Sequence, residues 1–207
     1  MKFLFITLFF GLLLSACDSE KTKDTSNTAN THTTNKPANK NVLGGSFTLQ
    51  STTGKVSLED FKGKIVVLYF GYTACPDICP TSLAILTSAF NSLDEKDQQQ
   101  IQPILISLDP ERDTAEKLKD YAAYFIPKMI GLTGSLDEVK RIAKNYKVSF
   151  RKTDTDSAMG YVVDHSSIYF IIGRDGNLFT HLMHNSNPKD IAEKIKLALK
   201  AKESLIK

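Results

Sequence analysis

The sequence predicts an α/β sandwich in which a central mixed sheet is flanked by helices, with a β-hairpin at its N-terminal end. "KIVVLYF" at 64–70 is a continuous β-branched and aromatic run, the composition of a strand buried on both faces, and "IQPILISLDP" at 101–110 reads as a second buried strand. Each is followed by a segment with apolar residues at three-to-four spacing, so buried strands alternate with helices. A pair of strand-like runs around a Gly-Arg-Asp-Gly-Asn turn then precedes a last helical segment.

The elements follow in order. Phe47, Leu49 and Val56 flank a Thr-Thr-Gly turn and predict a small hairpin. Leu58, Glu59 and Phe61 fit one short helical turn. After the first buried strand, Pro80 suits the first position of a helix, where its missing N–H costs nothing. Leu83, Leu86 and Phe90 give that helix its apolar stripe. Asp113-Thr114-Ala115-Glu116 opens a helix through Phe125, with Leu118, Tyr121, Ala122 and Phe125 on one face. Ser135 and Glu138 form a capping-box pattern for a helix reaching about Tyr146. Val148 to Lys152, Tyr161 to Val163 and Ser167 to Ile172 read as extended. Leu178 to Met183 returns after the Gly173–Asn177 turn, and Pro188 opens a terminal helix to about Lys202.

The N-terminal segment has another character. The chain has 207 residues, 42% hydrophobic and 24% charged, with a net charge of +3, which suits a soluble domain of ordinary size and carries no nucleic-acid footprint. Met1-Lys2 is a short basic start, and Phe3 to Leu14 is almost wholly apolar. That run is shorter than the roughly 20 residues a bilayer span needs and fits a secretory signal. Leu14-Ser15-Ala16-Cys17 resembles a bacterial lipobox, which implies a lipoprotein signal over 1–16 and lipidation of Cys17. Asp18 resembles an inner-membrane retention signal, so the expected place is the periplasm, on the inner membrane. Residues 17–42 are Ser, Thr, Asn, Lys and Asp with few apolar side chains. They read as a disordered, lipid-anchored tether to a folded domain over 43–207, and His32 within them reads as incidental. Cleavage before Cys17 leaves Cys75 and Cys79 as the free thiols, outside the cytoplasm, where disulfides persist.

The order of elements resembles a thioredoxin-like domain with an insertion. In such a domain the loop after the first central strand lies at the carboxyl end of the sheet, where ligands bind. That loop holds Cys75 and Cys79. Cys79 falls at a helix N-terminus, which stabilises a thiolate. Three features depart from a plain thioredoxin: three residues (Pro76, Asp77 and Ile78) separate the cysteines, no Trp is present, and no proline lies between Pro127 and Pro188. Where the facing loop is expected, the chain reads Val163-Asp164-His165-Ser166. His165 would face the cysteines there, completing a set of two sulfurs and one imidazole. Soft thiolates select Cu(I), imidazole also suits Cu(II), and a structural zinc would want a fourth ligand. Copper therefore ranks first.

"GYTACPDICPTS", "SLDPERDT", "IGLTGS" and "VDHSSIYFIIGRDG", in this order, resemble the Sco/SenC family over about Leu43 to Leu199. The resemblance implies a membrane-tethered, thioredoxin-like copper protein that helps assemble the binuclear copper centre (CuA) of cytochrome c oxidase. Its partner would be the copper-bearing subunit of that enzyme or another copper protein. The family's ligands match Cys75, Cys79 and His165. Ala74 departs from the His that many relatives carry there, a residue outside the usual ligand set. Asp77 and Asp164 are candidates to orient the ligands.

Other readings stay open on the residues alone. The same thiols suit a thiol–disulfide oxidoreductase that reduces another protein's cysteines, with His165 a bystander. Thr73, two residues before Cys75, fits a peroxidase, although no Arg to polarise a peroxide is identifiable. A purely structural disulfide would close a loop too small to constrain the unfolded chain much. His181, Met183 and His184 read as a surface strand end, His184 facing away from the other two. Met159 lies near His165 in sequence and could approach the site, but is not counted among the ligands. Asp109, Arg112 and Asp113 read as a turn and capping cluster.

Overall fold

A computed structural model describes residues 43–201; the expected signal, the expected lipidation site Cys17, Asp18 and the whole 17–42 tether lie outside the described residues. A five-stranded mixed sheet has the order β5-β4-β3-β8-β9. Strands β3 (Ile65–Gly71) and β4 (Ile101–Ser107) are parallel and fully buried, as their predominantly apolar runs suggest. β5 (Ile130–Leu132) extends the sheet in parallel beside β4. β8 (Ile168–Ile172) runs antiparallel to β3 and pairs in turn with the edge strand β9 (Leu178–Met183). The N-terminal hairpin is β1 (Thr48–Ser51) with β2 (Gly54–Ser57), followed by a 3-10 turn at Leu58–Phe61.

Helices cover both faces. α1 (Ile78–Asn91) connects β3 to β4 and buries Leu83, Leu86 and Phe90. It packs beside α5 (Pro188–Lys200) and is tied to α3 (Ala115–Phe125) where the Thr87 hydroxyl donates to the Phe125 carbonyl at 3.2 Å. The Tyr169 hydroxyl donates to the Ser82 carbonyl at 2.7 Å, so this residue of β8 faces α1. On the opposite face Phe70, Phe170 and Tyr146 form an aromatic cluster with centroids 5.2–5.9 Å apart. Tyr146 caps α4 (Leu136–Asn145), whose N-terminus carries the expected Ser135/Glu138 capping box.

Four details differ from the sequence reading. α1 begins at Ile78 with Asp77 as N-cap, which puts Pro80 at the third helical position; that N–H also lacks a partner within a helix, so proline is tolerated there. A short helix α2 (Glu95–Gln99) and strand β5 are additional. The extended stretch around Phe150 and the strand-like one from Tyr161 pair with each other as a second hairpin, β6 (Phe150–Asp154) with β7 (Tyr161–His165), in register Phe150↔His165. His165 is accordingly the last residue of a strand rather than part of a loop. Among the described residues no helix is long and apolar enough to cross a membrane.

Candidate metal centre

The site lies where β3 ends. Tyr72 to Asp77 form the loop that leads into α1, and Cys79 occupies the first turn of that helix. Burial of the first helical turn against β3 takes Cys79 wholly out of solvent, while Cys75 on the loop remains half-buried. His165 arrives from β7, one residue before the chain turns into β8. The three side chains expected from sequence converge: Cys75 Sγ, Cys79 Sγ and a ring nitrogen of His165 lie within 4.8 Å of one another. Cys79 Sγ is 3.4 Å from His165 Nε2. His165 Nδ1 lies 3.2 Å from the Ser166 carbonyl, which can accept a hydrogen bond from a proton carried there.

The two thiols are unlike. The Cys79 thiol donates to Cys75, and this hydrogen bond is the main cause pulling the Cys75 thiol well below its ordinary range. Burial opposes it, and His165 together with the backbone N–H groups of Cys79 and Asp77 add to it. The Cys79 N–H lies 3.3 Å from Cys75 Sγ, a helix-terminus amide aimed at a sulfur. Cys79 is pushed up, first by donating to Cys75 and then by burial. One sulfur is thus primed as a thiolate while its neighbour holds the proton. A metal ion at the centre of the group would replace that shared proton, because ligation requires both thiolates. Two sulfurs and an imidazole fit a soft, low-coordinate ion.

Around the ligands lies a cavity of about 310 Å³ whose lining includes Tyr72, Pro76, Asp77 and Val163. Asp77 acts on Cys75 through its backbone amide, while its carboxylate sits 3.5 Å from the Thr81 hydroxyl. Asp164 is on the other face of β7, where its carboxylate accepts from the Thr153 hydroxyl at 2.7 Å and from Arg151. The partner of the imidazole is the Ser166 carbonyl instead, because alternate strand residues point to opposite sides. Thr73 is turned from the sulfur: its N–H and hydroxyl both go to Asp113, at 3.1 and 2.5 Å. Asp113, buried, also accepts from Ser107, so this carboxylate ties the cysteine loop to the end of β4 rather than capping α3, whose cap is Thr114. Asp109 pairs with Arg112 and accepts from the Tyr161 hydroxyl. His181 and Met183 are exposed on β9 and His184 is half-buried; none belongs to the three-ligand group. The Met159 carbonyl accepts from Arg112.

Sequence reasoning missed the aromatic walls. Tyr69 and Tyr72 meet the His165 ring edge-on, with centroids at 6.3 and 6.0 Å. Their positions on and just after the first buried strand were visible, but the facing strand needed the hairpin register.

The SCO1/SenC family model matches residues 35–200. The mitochondrial protein SCO2 of Saccharomyces cerevisiae is 43% identical over 162 residues, covering 77% of this chain and 54% of that protein. This chain spans about half the length of the mitochondrial relatives it matches. A copper-bound crystal structure of Arabidopsis thaliana ScoI superposes with TM-score 0.70 at 34% identity, covering 76% of this chain and 98% of that one. BsSco, a member of the Sco family of cytochrome c oxidase assembly proteins in which a disulfide switch has been identified, matches with TM-score 0.62 at 29% identity over 78% of this chain and 95% of its own. Fold, motif order and ligand cluster agree with these matches: the chain belongs to the SCO1/SenC family.

Proposed function

We propose that this protein is a membrane-anchored chaperone that binds copper through Cys75, Cys79 and His165 and delivers it to the CuA centre of cytochrome c oxidase. The observation that carries the reading is the convergence of two sulfurs and one imidazole within 4.8 Å. Among the described residues no fourth His, Cys, Asp or Glu joins them, which disfavours a closed structural zinc. The copper-bound Arabidopsis relative and the oxidase-assembly role of BsSco support cargo and partner.

Thiol redox state gates the site. In the dithiol, Cys75 is already close to a thiolate and Cys79 gives up its proton on ligation. A Cys75–Cys79 disulfide removes both sulfur donors, leaving one imidazole. Half-buried Cys75 offers the edge at which an acceptor's thiolates exchange onto the ion. Lipidation of Cys17 and the tether over 17–42 would hold the domain on the periplasmic side of the inner membrane, with retention by Asp18, and raise its local concentration around a membrane-bound acceptor.

The difference between the thiols favours a second reading, a thiol–disulfide oxidoreductase. The accessible Cys75 thiolate would attack a partner's disulfide and release one partner thiolate. Cys79 would then displace the other, giving a Cys75–Cys79 disulfide and a partner dithiol, two electrons having passed to the partner.

Copper titration of the purified full chain, reduced and oxidised in parallel, separates the two. One copper held tightly by the reduced chain alone, and lost in Cys75→Ser, is the expected result. His165→Ala should weaken binding by more than the roughly 10–100-fold that loss of an outer partner costs, with the thiol redox cycle intact. No binding in either state would leave the oxidoreductase reading.

A further inference from the structure

We propose that Tyr72 is the positioning residue of this centre: its buried phenol bridges the cysteine loop and the strand that presents His165, and so sets the separation of the sulfurs from the imidazole. The inference rests on the reading that these three residues hold copper.

Tyr72 follows β3 directly and is 1% exposed. On the cysteine side, its carbonyl lies 3.4 Å from the Cys75 N–H, closing the loop that carries the first sulfur. On the histidine side, its hydroxyl accepts from the Val163 N–H at 3.1 Å, two residues before His165. Its ring meets the imidazole edge-on, centroids 6.0 Å apart and planes at 78°. The Arg112 guanidinium, which donates to the Tyr161 and Met159 carbonyls of the same hairpin, sits 5.8 Å from the Tyr72 ring centroid.

Tyr72 and Cys75 also line the same cavity. With its oxygen accepting from Val163, the phenol hydrogen is left over for a partner within that cavity. Hydrogen bonding around a ligating sulfur tunes a copper–thiolate centre, so one hydroxyl would act on both position and electronics. Tyr69 also borders His165, but its hydroxyl is buried without a hydrogen-bond partner. It supplies a wall, whereas Tyr72 supplies a link.

The test is Tyr72→Phe in the full chain, which keeps the ring and removes the oxygen. Tyr169→Phe is the control, since it also deletes a buried hydroxyl bonded to backbone carbonyls, those of Ser82 and His184. In the reduced, metal-free protein, Tyr72→Phe should speed hydrogen exchange at the Val163 amide and shift the His165 ring resonances. Under chelator competition it should bind Cu(I) about tenfold more weakly, the effect of one lost hydrogen bond, and it should move the sulfur-to-Cu(II) charge-transfer band. Tyr169→Phe should lose stability with affinity and band unchanged. The proposal is overturned if Tyr72→Phe leaves the Val163 amide and the His165 resonances as in the parent. It is equally overturned if affinity and band match the parent, or if the control changes them as much. If the parent binds no copper while the metal-free signals respond, the copper reading fails and the positioning of His165 by Tyr72 stands.

Discussion

Gly71→Ala tests whether the packing of the strand end sets the position of the second sulfur. Gly71 closes β3, and its carbonyl accepts from Leu108 at 2.8 Å. Its backbone is not left-handed, so alanine carries no conformational strain there. The constraint is steric: a Cβ at this position would lie 3.0 Å from Cys79 Sγ and 3.0 Å from Tyr69 Cε1. Comfortable carbon contacts lie at about 3.5–4.0 Å, so the neighbours must yield by roughly half an ångström. Neither has free space, since both Cys79 and Tyr69 are 0% exposed. Overpacking of this kind costs about 1–3 kcal/mol, offset by the roughly 0.4–1 kcal/mol that replacing glycine returns through the unfolded chain. A net loss of about 1–2 kcal/mol should appear in urea unfolding of the reduced, metal-free protein. Because the sulfur is one of the two groups displaced, Cu(I) affinity should fall further than stability does, while Cys75 remains reactive toward thiol reagents. Parent-like stability together with parent-like copper affinity would refute the steric argument.

Asp113→Asn should cost about 2–3 kcal/mol in urea unfolding, because a buried carboxylate that accepts from Thr73 and Ser107 is replaced by a group with one acceptor fewer; a change under about 0.5 kcal/mol would mean that the network is dispensable. Glu138 is held below the ordinary carboxylate range, first by the Ser135 backbone N–H and then by the Ser135 hydroxyl. Its folded pKa is thus below its unfolded one, and its contribution is fully present above the unfolded value, about 4.3, and disappears as pH falls through the folded value. Ser135→Ala should cost about 1 kcal/mol at pH 7 through loss of the cap. It should also flatten the acid limb of the stability profile, measured by urea midpoints from pH 7 to pH 3.

Most of the central sheet was legible because its strands carry their own burial signal. The run that became β3 is apolar throughout and the one that became β4 is mostly so, which fits strands buried on both faces. The capping box, the Pro188 helix start and the β8–β9 hairpin were equally local. The misses were elements without such a signature. α2 buries no residue, so it has no apolar period to read. β5 is three residues long, and its Gly131 is there because α3 crosses so closely that a Cβ would lie 2.6 Å from the Leu118 carbonyl oxygen. β6 has no fully buried position, and its partner was read as ending at Val163. Only the pairing Phe150↔His165 carries β7 on to His165.

That one register explains why the ligands could be named while their surroundings could not. Cys75 and Cys79 are bound to the strand-to-helix junction by sequence distance alone, and Asp-His-Ser lies between two recognisable strands. How the three side chains differ is a matter of geometry. Starting α1 at Ile78 rather than at Pro80 puts Cys79 inside the first turn, where packing against Gly71 buries it and aims its amide at Cys75. The same shift leaves Cys75 on the loop, half-buried and charged more readily. On the facing strand, alternation sends Asp164 to Thr153 and Arg151 and turns His165 inward between two tyrosines. A two-residue spacer would bring the sulfurs closer along the chain. With three residues between them, Cys75 stays on the loop beyond the helix end and Cys79 sits in the first turn, and both sulfurs and the imidazole nitrogen lie within 4.8 Å of one another. The spacing that departs from a plain redox motif thus accompanies a cluster of three donors that could hold a metal ion.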